Sequence, residues 1–474
     1  MYTSWLSNSI PDIKSLSSTH RRRRVLCLGL ALGIPLAYKL AGVASAAELP
    51  PVGTLVLPAG KTITLAEAIE LALRSHPSEQ QARANLDVAA ARVEESRAGY
   101  LPQVTATGQY QRTTGNFAAR PGALPQTTTS TQPPSWTPAY NYFTLGATAS
   151  QLIYDFGQTS GRWRSSESVE ASAASSERAT QVQIIANVRK AYFQARAQRD
   201  LVEVAANALA NQQKHLEQIE GLVPHGMRPE IDRVTAETNV ANARVQLISA
   251  QNTYAVACAA LDQAIGLSAA EGHQPDNDEI GPVPEENAPF EKLLDMALHD
   301  RPEMAAFAEQ RKAQEQIISA NLGAYGPSLA AQAGLTALGQ QLDNLAPNWW
   351  VGVLLNWPLL QGGLVSGQVR EARATLRSIQ AQEDAFRLSV RVDVEQASLA
   401  VQAARATLAA ADLARENARK QLALAEARYT VGMGSVIELG DSQVTLTQAE
   451  GQVVNARFTL ASARAALLGA LGRR

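Results

Sequence analysis

Four segments of the chain alternate apolar and polar residues with the period of a β-strand. In the first, Val104, Ala106, Gly108 and Tyr110 share one face, and glutamine and threonine residues share the other. The same alternation predicts strands over 101–114, 141–156, 327–339 and 348–360. Each segment is about ten residues or slightly longer, which is the length of a tilted strand that crosses a bilayer. This alternation is typical of a barrel with lipid outside and water inside.

Long amphipathic, alanine-rich segments separate the predicted strands. Their periodicity predicts helices over 65–98, 162–221, 230–266, 290–323, 368–430 and 437–471. Pro77 and Pro302 each open a shorter helix within the first and fourth of these segments. The helix from Pro77 and the helix from Glu230 together nearly match the length of 162–221. We therefore expect each short pair to stack end to end beside one long helix.

The whole pattern occurs twice. Tyr100-Leu101-Pro102 before the first strand corresponds to Tyr325-Gly326-Pro327 before the third. After the second and fourth strands, Gly157, Ser160 and Gly161 correspond to Gly363, Ser366 and Gly367. The mature chain is therefore predicted to consist of two structural repeats, 47–283 and 284–474, that differ chiefly in the loop between their strands. The loops 115–139 and 339–347 are polar and rich in turn-forming residues, so we expect them to be exposed outside the cell.

The N-terminus resembles an export signal over residues 1–46. Arg21 to Arg24 form a positive region, Val25 to Tyr38 an apolar region, and Ala44-Ser45-Ala46 a cleavage site of small residues. A membrane anchor is the alternative, but the apolar run is short and Pro35 interrupts it. We therefore expect a mature chain that begins near Ala47.

Composition excludes several classes of function. The formal net charge is −2, with no basic block that would favour nucleic acid as a partner. The mature chain keeps one cysteine, Cys258, so no disulfide can form within it. The histidines lack metal-ligand spacing, and His215 and His225 are expected to be solvated at the surface. We find no nucleophile, phosphate loop or cofactor motif, so we expect neither an enzyme nor a bound cofactor or metal.

Four strands cannot enclose a lumen, and open sheet edges are not tolerated in hydrocarbon. A barrel shared by several copies solves this problem, because three copies supply twelve strands and a wide lumen. The predicted fold is thus an α+β membrane protein, in which a trimeric 12-stranded β-barrel continues into a long α-helical barrel. After export, this places the strands in the outer membrane of a Gram-negative bacterium and the helices in the periplasm.

Three sequence features carry a resemblance to a known family. They are the duplicated Tyr-x-Pro entries, the passages 151–157 and 357–363 from strand to helix, and the helical turn at 429–438. With these features the chain resembles the TolC-like outer-membrane efflux proteins. The resemblance implies a homotrimeric duct that works with a periplasmic adaptor protein and an inner-membrane transporter. Such ducts carry drugs, metals or proteins outward, and outer-membrane lipid surrounds them.

The resemblance also implies roles for residues of the helical turns. The adaptor would contact the two turns at the periplasmic tip, at His225, Gly226, Val431, Gly432, Gly434 and Ser435. Asp232 and Tyr429 match residues that hold the tip shut, and Glu438 and Asp441 match acids that ring the narrowest part of the channel. Gly434 departs from the pattern, because well-studied relatives often carry an arginine in this turn. Closure would then depend on Tyr429, or on Arg428 or Arg233.

The residues alone give some support to an acidic ring. Glu438 and Asp441 are three positions apart on a predicted helix and so share a face. A trimer would bring six such carboxylates around one axis, where they would attract cations. The alternative is a pair of solvated acids near a helix N-terminus, which favours negative charge in any case.

Two other functions remain open from the sequence. The exit channel of a type I protein secretion system would share the architecture, and a periplasmic structural coiled-coil protein would share the long helices. The second alternative does not account for the four amphipathic strands. The sequence does not identify the transported substrate.

Overall fold

A computed structural model describes residues 61–114, 139–225, 229–267, 272–278 and 280–474. All of these belong to the unit Leu55–Arg474. The predicted signal segment, most of the first strand–strand loop and Gly226 lie outside the described residues.

Within the described residues, each repeat contains a pair of long strands, two short helices, one very long helix and one of intermediate length. In chain order the elements are β1 (Thr62–Ile63), α1 (Leu65–Ser75), α2 (Pro77–Ala98), β2 (Gln103–Thr114), β3 (Ala139–Tyr154), α3 (Gln158–Leu222), α4 (Glu230–Ile265), β4 (Gln274–Pro275), α5 (Phe290–Asp300), α6 (Pro302–Gly323), β5 (Ser328–Gln341), β6 (Asn344–Asn356), α7 (Leu364–Thr430) and α8 (Val436–Ala470).

The long strands form one antiparallel sheet in the order β2-β3-β5-β6. Its register aligns the apolar positions of all four strands. Val104 lies opposite Ala149, which lies opposite Ala333, which lies opposite Val351. One face is therefore apolar throughout, and Val351 on that face is 73% exposed. An exposed apolar sheet face of this extent indicates a surface that lipid covers.

The second hairpin corrects one expectation. The sequence predicted an exposed loop over 339–347, but β5 continues to Gln341 and β6 begins at Asn344. Only Leu342 and Asp343 remain between the strands. Pairing of Leu338 with Ala346 holds the backbone extended, and this outweighs the turn-forming composition of the segment.

Both passages from sheet to helix use a left-handed glycine. Gly157 has φ +89° and Gly363 has φ +86°, a conformation that costs glycine no steric strain. Each is the N-cap of the following helix, so α3 begins at Gln158 and α7 at Leu364, four residues before the predicted starts at 162 and 368. Strands β3 and β6 end correspondingly early, at Tyr154 and Asn356.

Short helices meet end to end beside the long ones. A Cβ at Gly266, just after α4, would lie 2.7 Å from the Cα of His76, the N-cap of α2. In the second repeat, a Cβ at Gly472 would lie 2.8 Å from the Cα of Arg301, the N-cap of α6. Helices α2 and α4 have 22 and 36 residues, against 65 in α3. Two rods per repeat, of nearly equal length, therefore extend away from the sheet.

The remaining small elements pack against the middle of the long helices. Strands β1 and β4 pair in parallel, and α1 begins with a capping box between Thr64 and Glu67. Beneath α1, the buried side chain of Tyr192 donates a hydrogen bond to the carbonyl of Ile63, 3.2 Å away. Helix α5 buries Leu293 against Val390 and Val394 of α7. These contacts give each repeat its apolar core.

We searched the helices of the described residues for a segment long and apolar enough to cross a membrane and found none.

Candidate functional site

The turn between α7 and α8 lies at the end of the helices that is far from the sheet. Gly432 adopts φ +77°, and the amides of Met433 and Gly434 both donate to the carbonyl of Arg428, at 2.9 and 3.0 Å. Helix α8 then starts at Ser435, whose hydroxyl accepts from the amide of Glu438 at 3.1 Å. Local hydrogen bonds therefore fix the turn that the sequence assigned to adaptor contact.

Gly434 is the residue that departs from the related sequences, and the backbone explains why a side chain is absent there. A Cβ at this position would lie 2.9 Å from the backbone nitrogen of Tyr429 and 3.1 Å from the carbonyl carbon of Arg428. The neighbours are main-chain atoms at the end of α7 and have little freedom to move aside. An arginine at position 434 is thus incompatible with this turn.

Tyr429 is packed inside the tip. Its side chain is 8% exposed and lies in an apolar cluster with Ala425 and Leu439. The ring of His215 on α3 meets the ring of Tyr429 edge to face, with centroids 5.5 Å apart. Tyr429 therefore connects the second-repeat turn to the long helix of the first repeat.

His215 contradicts the expectation of a solvated surface histidine, because it is 6% exposed. The end of α3 packs against α8 here, and Gln212 donates a hydrogen bond to Gln443 at 3.0 Å. Sequence reasoning missed this contact because His215 and Tyr429 are far apart along the chain. Periodicity places His215 on a helix, but it does not show which neighbouring helix covers it.

The two acids of the predicted ring lie in the first turns of α8. Glu438 is half-buried and pairs with Arg428, its carboxylate 2.9 Å from the guanidinium. Asp441 is exposed on the same side, and both line a groove between α7 and α8 that also contains Lys420. Arg428 is thus held by Glu438 within its own turn, so part of the acidic charge is already balanced.

The first-repeat turn is described on both sides of 226–228. His225 contacts the carbonyl of Gly221 through Nδ1 at 3.1 Å, and α4 begins at Glu230. Asp232, in the first turn of α4, is half-buried. Arg233 pairs with Glu237 at 2.7 Å and also donates to Glu230. The hydrogen bond from Glu230 raises the pKa of Arg233, so this arginine is engaged by acids of its own helix.

Exposed apolar side chains surround both turns. Val431 was predicted as a contact residue, whereas Met433 and Ile437 were not, although they are 73% and 75% exposed. In the first repeat Ile231 is likewise exposed at 66%. The duplication contained the signal, since Ile231 and Ile437 are corresponding positions. Apolar residues exposed at such a tip indicate a surface that another protein covers.

The structure brings the second-repeat residues together. Tyr429, Val431, Gly432, Gly434, Ser435 and Glu438 belong to one turn, and Asp441 follows one helical turn later. Among the described residues, no group of three histidine, cysteine or acidic side chains is arranged to hold a metal ion. The site offers a charged groove and an apolar rim, which are features of a contact and conduction site.

Comparison with known proteins matches residues 68–267 and 293–473 to a family described as outer membrane efflux protein. The two matched stretches correspond to the two repeats. Outer membrane efflux protein BepC of Brucella suis is 24% identical over 424 residues, which are 84% of this chain and 85% of BepC. Outer membrane protein TolC of Escherichia coli is 24% identical over 435 residues, which are 86% of this chain and 82% of TolC.

Solved structures show the same fold. CusC aligns with a TM-score of 0.74 at 18% identity, over 86% of this chain and 92% of the CusC chain. The outer membrane protein VceC of Vibrio cholerae aligns with a TM-score of 0.72 at 20% identity, over 86% of this chain and 96% of VceC. The arrangement of one four-stranded sheet and long paired helices is therefore shared with these proteins.

Proposed function

Because the chain belongs to the outer membrane efflux protein family, we propose that it is the exit duct of a tripartite efflux system. It resides in the outer membrane and conducts small molecules passively to the exterior. The observation that carries this function is the family match over both repeats, together with relatives described as efflux proteins along most of their length.

The duct is a homotrimer with a shared barrel of twelve strands. Support comes from the sheet, whose outer strands β2 and β6 pair with no further strand in the described part of the chain. Open edges beside an apolar face are unfavourable in lipid. Two further copies would pair β6 of one protomer with β2 of the next and so close the sheet.

The helices form the periplasmic part of the duct, and their tip binds a periplasmic adaptor protein that joins the duct to an inner-membrane transporter. His225, Gly226, Val431, Gly432, Gly434 and Ser435 are the proposed adaptor contacts. Met433 and Ile437 extend this set, because their exposed side chains offer apolar area next to a charged groove.

The same tip contains the proposed constriction at Asp232, Tyr429, Glu438 and Asp441. Tyr429 supports closure by bridging the end of α7 to His215 of α3. Arg428 and Arg233 are less suited to bridge protomers, since each already pairs with an acid of its own chain. The resting duct is therefore held by packing of Tyr429 more than by an arginine latch.

An efflux assay in cells tests the function. Deleting the gene for this chain should raise accumulation of a fluorescent dye such as ethidium, and the wild-type gene should restore low accumulation. A Val351→Lys variant, defective in the lipid-facing sheet, should not restore it. Unchanged dye accumulation together with retention of a normally secreted protein would favour a protein secretion duct instead.

A further inference from the structure

Helices α2 and α3 meet just below the sheet in the first repeat. The hydroxyls of Ser96 and Ser166 are 2.7 Å apart and join the two helices. One turn nearer the sheet, the rings of Tyr100 and Trp163 pack edge to face at 6.0 Å. The guanidinium of Arg97 lies 5.9 Å from the centre of the Trp163 ring. The aromatic pair thus fixes the position of one arginine at the exposed end of α2.

Three further arginines surround this cluster. Arg92 on α2 and Arg162 and Arg164 on α3 are exposed, as is Arg97. Within the ranges that the structure describes, none of the four forms an ion pair with a carboxylate. Glutamates occur on the same turns but do not pair with them: Glu94, Glu95, Glu167 and Glu170. Positive charge is therefore left uncompensated at this end of the helices.

The second repeat shows that the fold does not need these residues. It builds the same junction with Leu322 in place of Arg97 and Val369 in place of Trp163. Ile317 and Gln368 likewise replace Arg92 and Arg162, whereas Arg164 is matched by Arg370. The duplication is thus an internal control. The first-repeat cluster serves something other than the passage from strand to helix.

The location of the cluster suggests its ligand. Strand β2 starts at Gln103 and β3 ends at Tyr154, so Tyr100 and Trp163 lie immediately beyond the apolar face of the sheet. If the sheet spans the membrane, as the proposed function requires, this is the level of the lipid headgroups. Aromatic side chains are favoured at that level, and arginine binds phosphate oxygens through paired N–H donors.

We propose that Arg97, Arg162 and Arg164 bind the phosphate of an anionic phospholipid in the periplasmic leaflet, with Trp163 orienting Arg97. Stacking on the indole limits the guanidinium to few orientations, which leaves its N–H edge available to the phosphate. The acyl chains of the same lipid lie along the apolar sheet face that begins at Val104. Each protomer contributes one such site, and the second repeat contributes none.

Native mass spectrometry of the purified full-length mature trimer tests this proposal. The probe is dioctanoyl phosphatidylglycerol, compared with dioctanoyl phosphatidylcholine. We expect the wild type to retain phosphatidylglycerol, up to three per trimer, and phosphatidylcholine at least tenfold more weakly. The R97L/W163V variant copies the second repeat and should bind phosphatidylglycerol at least tenfold more weakly than the wild type. The matched control Arg373→Leu removes an exposed arginine of α7 and should bind like the wild type.

A second variant, R162Q/R164Q, keeps the aromatic packing and should weaken phosphatidylglycerol binding at least threefold. Unchanged binding in both variants would overturn the proposal. So would inorganic phosphate that displaces the lipid at equal concentration, because the site would then recognise a free anion. A R97L/W163V chain that no longer forms trimers would also overturn it, since the cluster would then be a subunit contact. Failure of the proposed function differs from these outcomes, because the wild-type chain itself would form no trimer.

Discussion

At the residue scale, Tyr429 has the most direct connection to a closed duct. Its ring is buried between α7, α8 and His215. Tyr429→Ala should remove this packing and raise the resting conductance of purified trimers in planar bilayers. His225→Ala, which alters an exposed histidine near the other turn, is the matched control and should conduct like the wild type. A Tyr429→Ala duct that stays as closed as the wild type would assign closure to other residues.

The acids of α8 make a separate prediction. Replacing Glu438 by Gln and Asp441 by Asn removes their charge and keeps their shape. Block of the open duct by multivalent cations should weaken, because six converging carboxylates would become neutral. Glu450→Gln is a suitable control, since Glu450 also pairs with an arginine of α7, at 3.0 Å, but lies farther from the turn. Wild-type cation block in the double variant would show that these acids do not line the constriction.

Residue roles at the tip were only partly accessible from sequence. The turn itself follows from glycines and the loss of helical periodicity at 431–435. The burial of His215, the pairing of Arg428 with Glu438 and the exclusion of a side chain at Gly434 do not follow. Each depends on contacts between helices that are distant along the chain, and single-sequence patterns do not define those contacts.

At the scale of elements, the strands show what alternation can and cannot predict. The period of two assigned Val104, Ala333 and Val351 to apolar faces, and the register of the sheet aligns those faces. The turn at Leu342 and Asp343 was missed because Gly339 and Pro347 favour a loop locally. Cross-strand pairing decides the conformation there, and that pairing is a non-local property.

The lipid-facing side of the sheet can be tested by charge. Val351→Lys should hinder membrane assembly and cost roughly 2–4 kcal/mol if the residue lies near the bilayer midplane. Thr148→Lys places the same charge on the opposite face and should have a small effect. The measurement is the amount of heat-modifiable protein in the outer-membrane fraction. Equal defects in both variants would show that the two faces are misassigned.

The stacked helix ends give a prediction about stability. Gly266 has φ +88°, and a Cβ there would approach the backbone of His76 to 2.7 Å. Gly266→Ala should therefore destabilise the fold by about 1–3 kcal/mol, because strain and steric overlap add. Gly221→Ala, where a Cβ would meet no atom within 4 Å, should be neutral or slightly stabilising. Thermal unfolding followed by circular dichroism compares the two, and equal midpoints would contradict end-to-end contact.

At the scale of the whole molecule, one chain supplies an incomplete duct. Its sheet has four strands, and the outer sides of β2 and β6 are unpaired in the described residues. Its long helices present exposed apolar residues, such as Leu388 and Leu399 of α7, that a neighbouring copy would cover. The sequence predicted this incompleteness from strand count alone, and the number of copies that completes the barrel remains a proposal.

The most direct test is the mass of the native protein extracted from outer membranes. Native mass spectrometry should give a complex of three mature chains, each beginning near Ala47. Such a trimer would supply the twelve strands that the proposed barrel requires. A stable monomer or dimer, or mature chains that keep residues 1–46, would contradict the account of a shared outer-membrane duct.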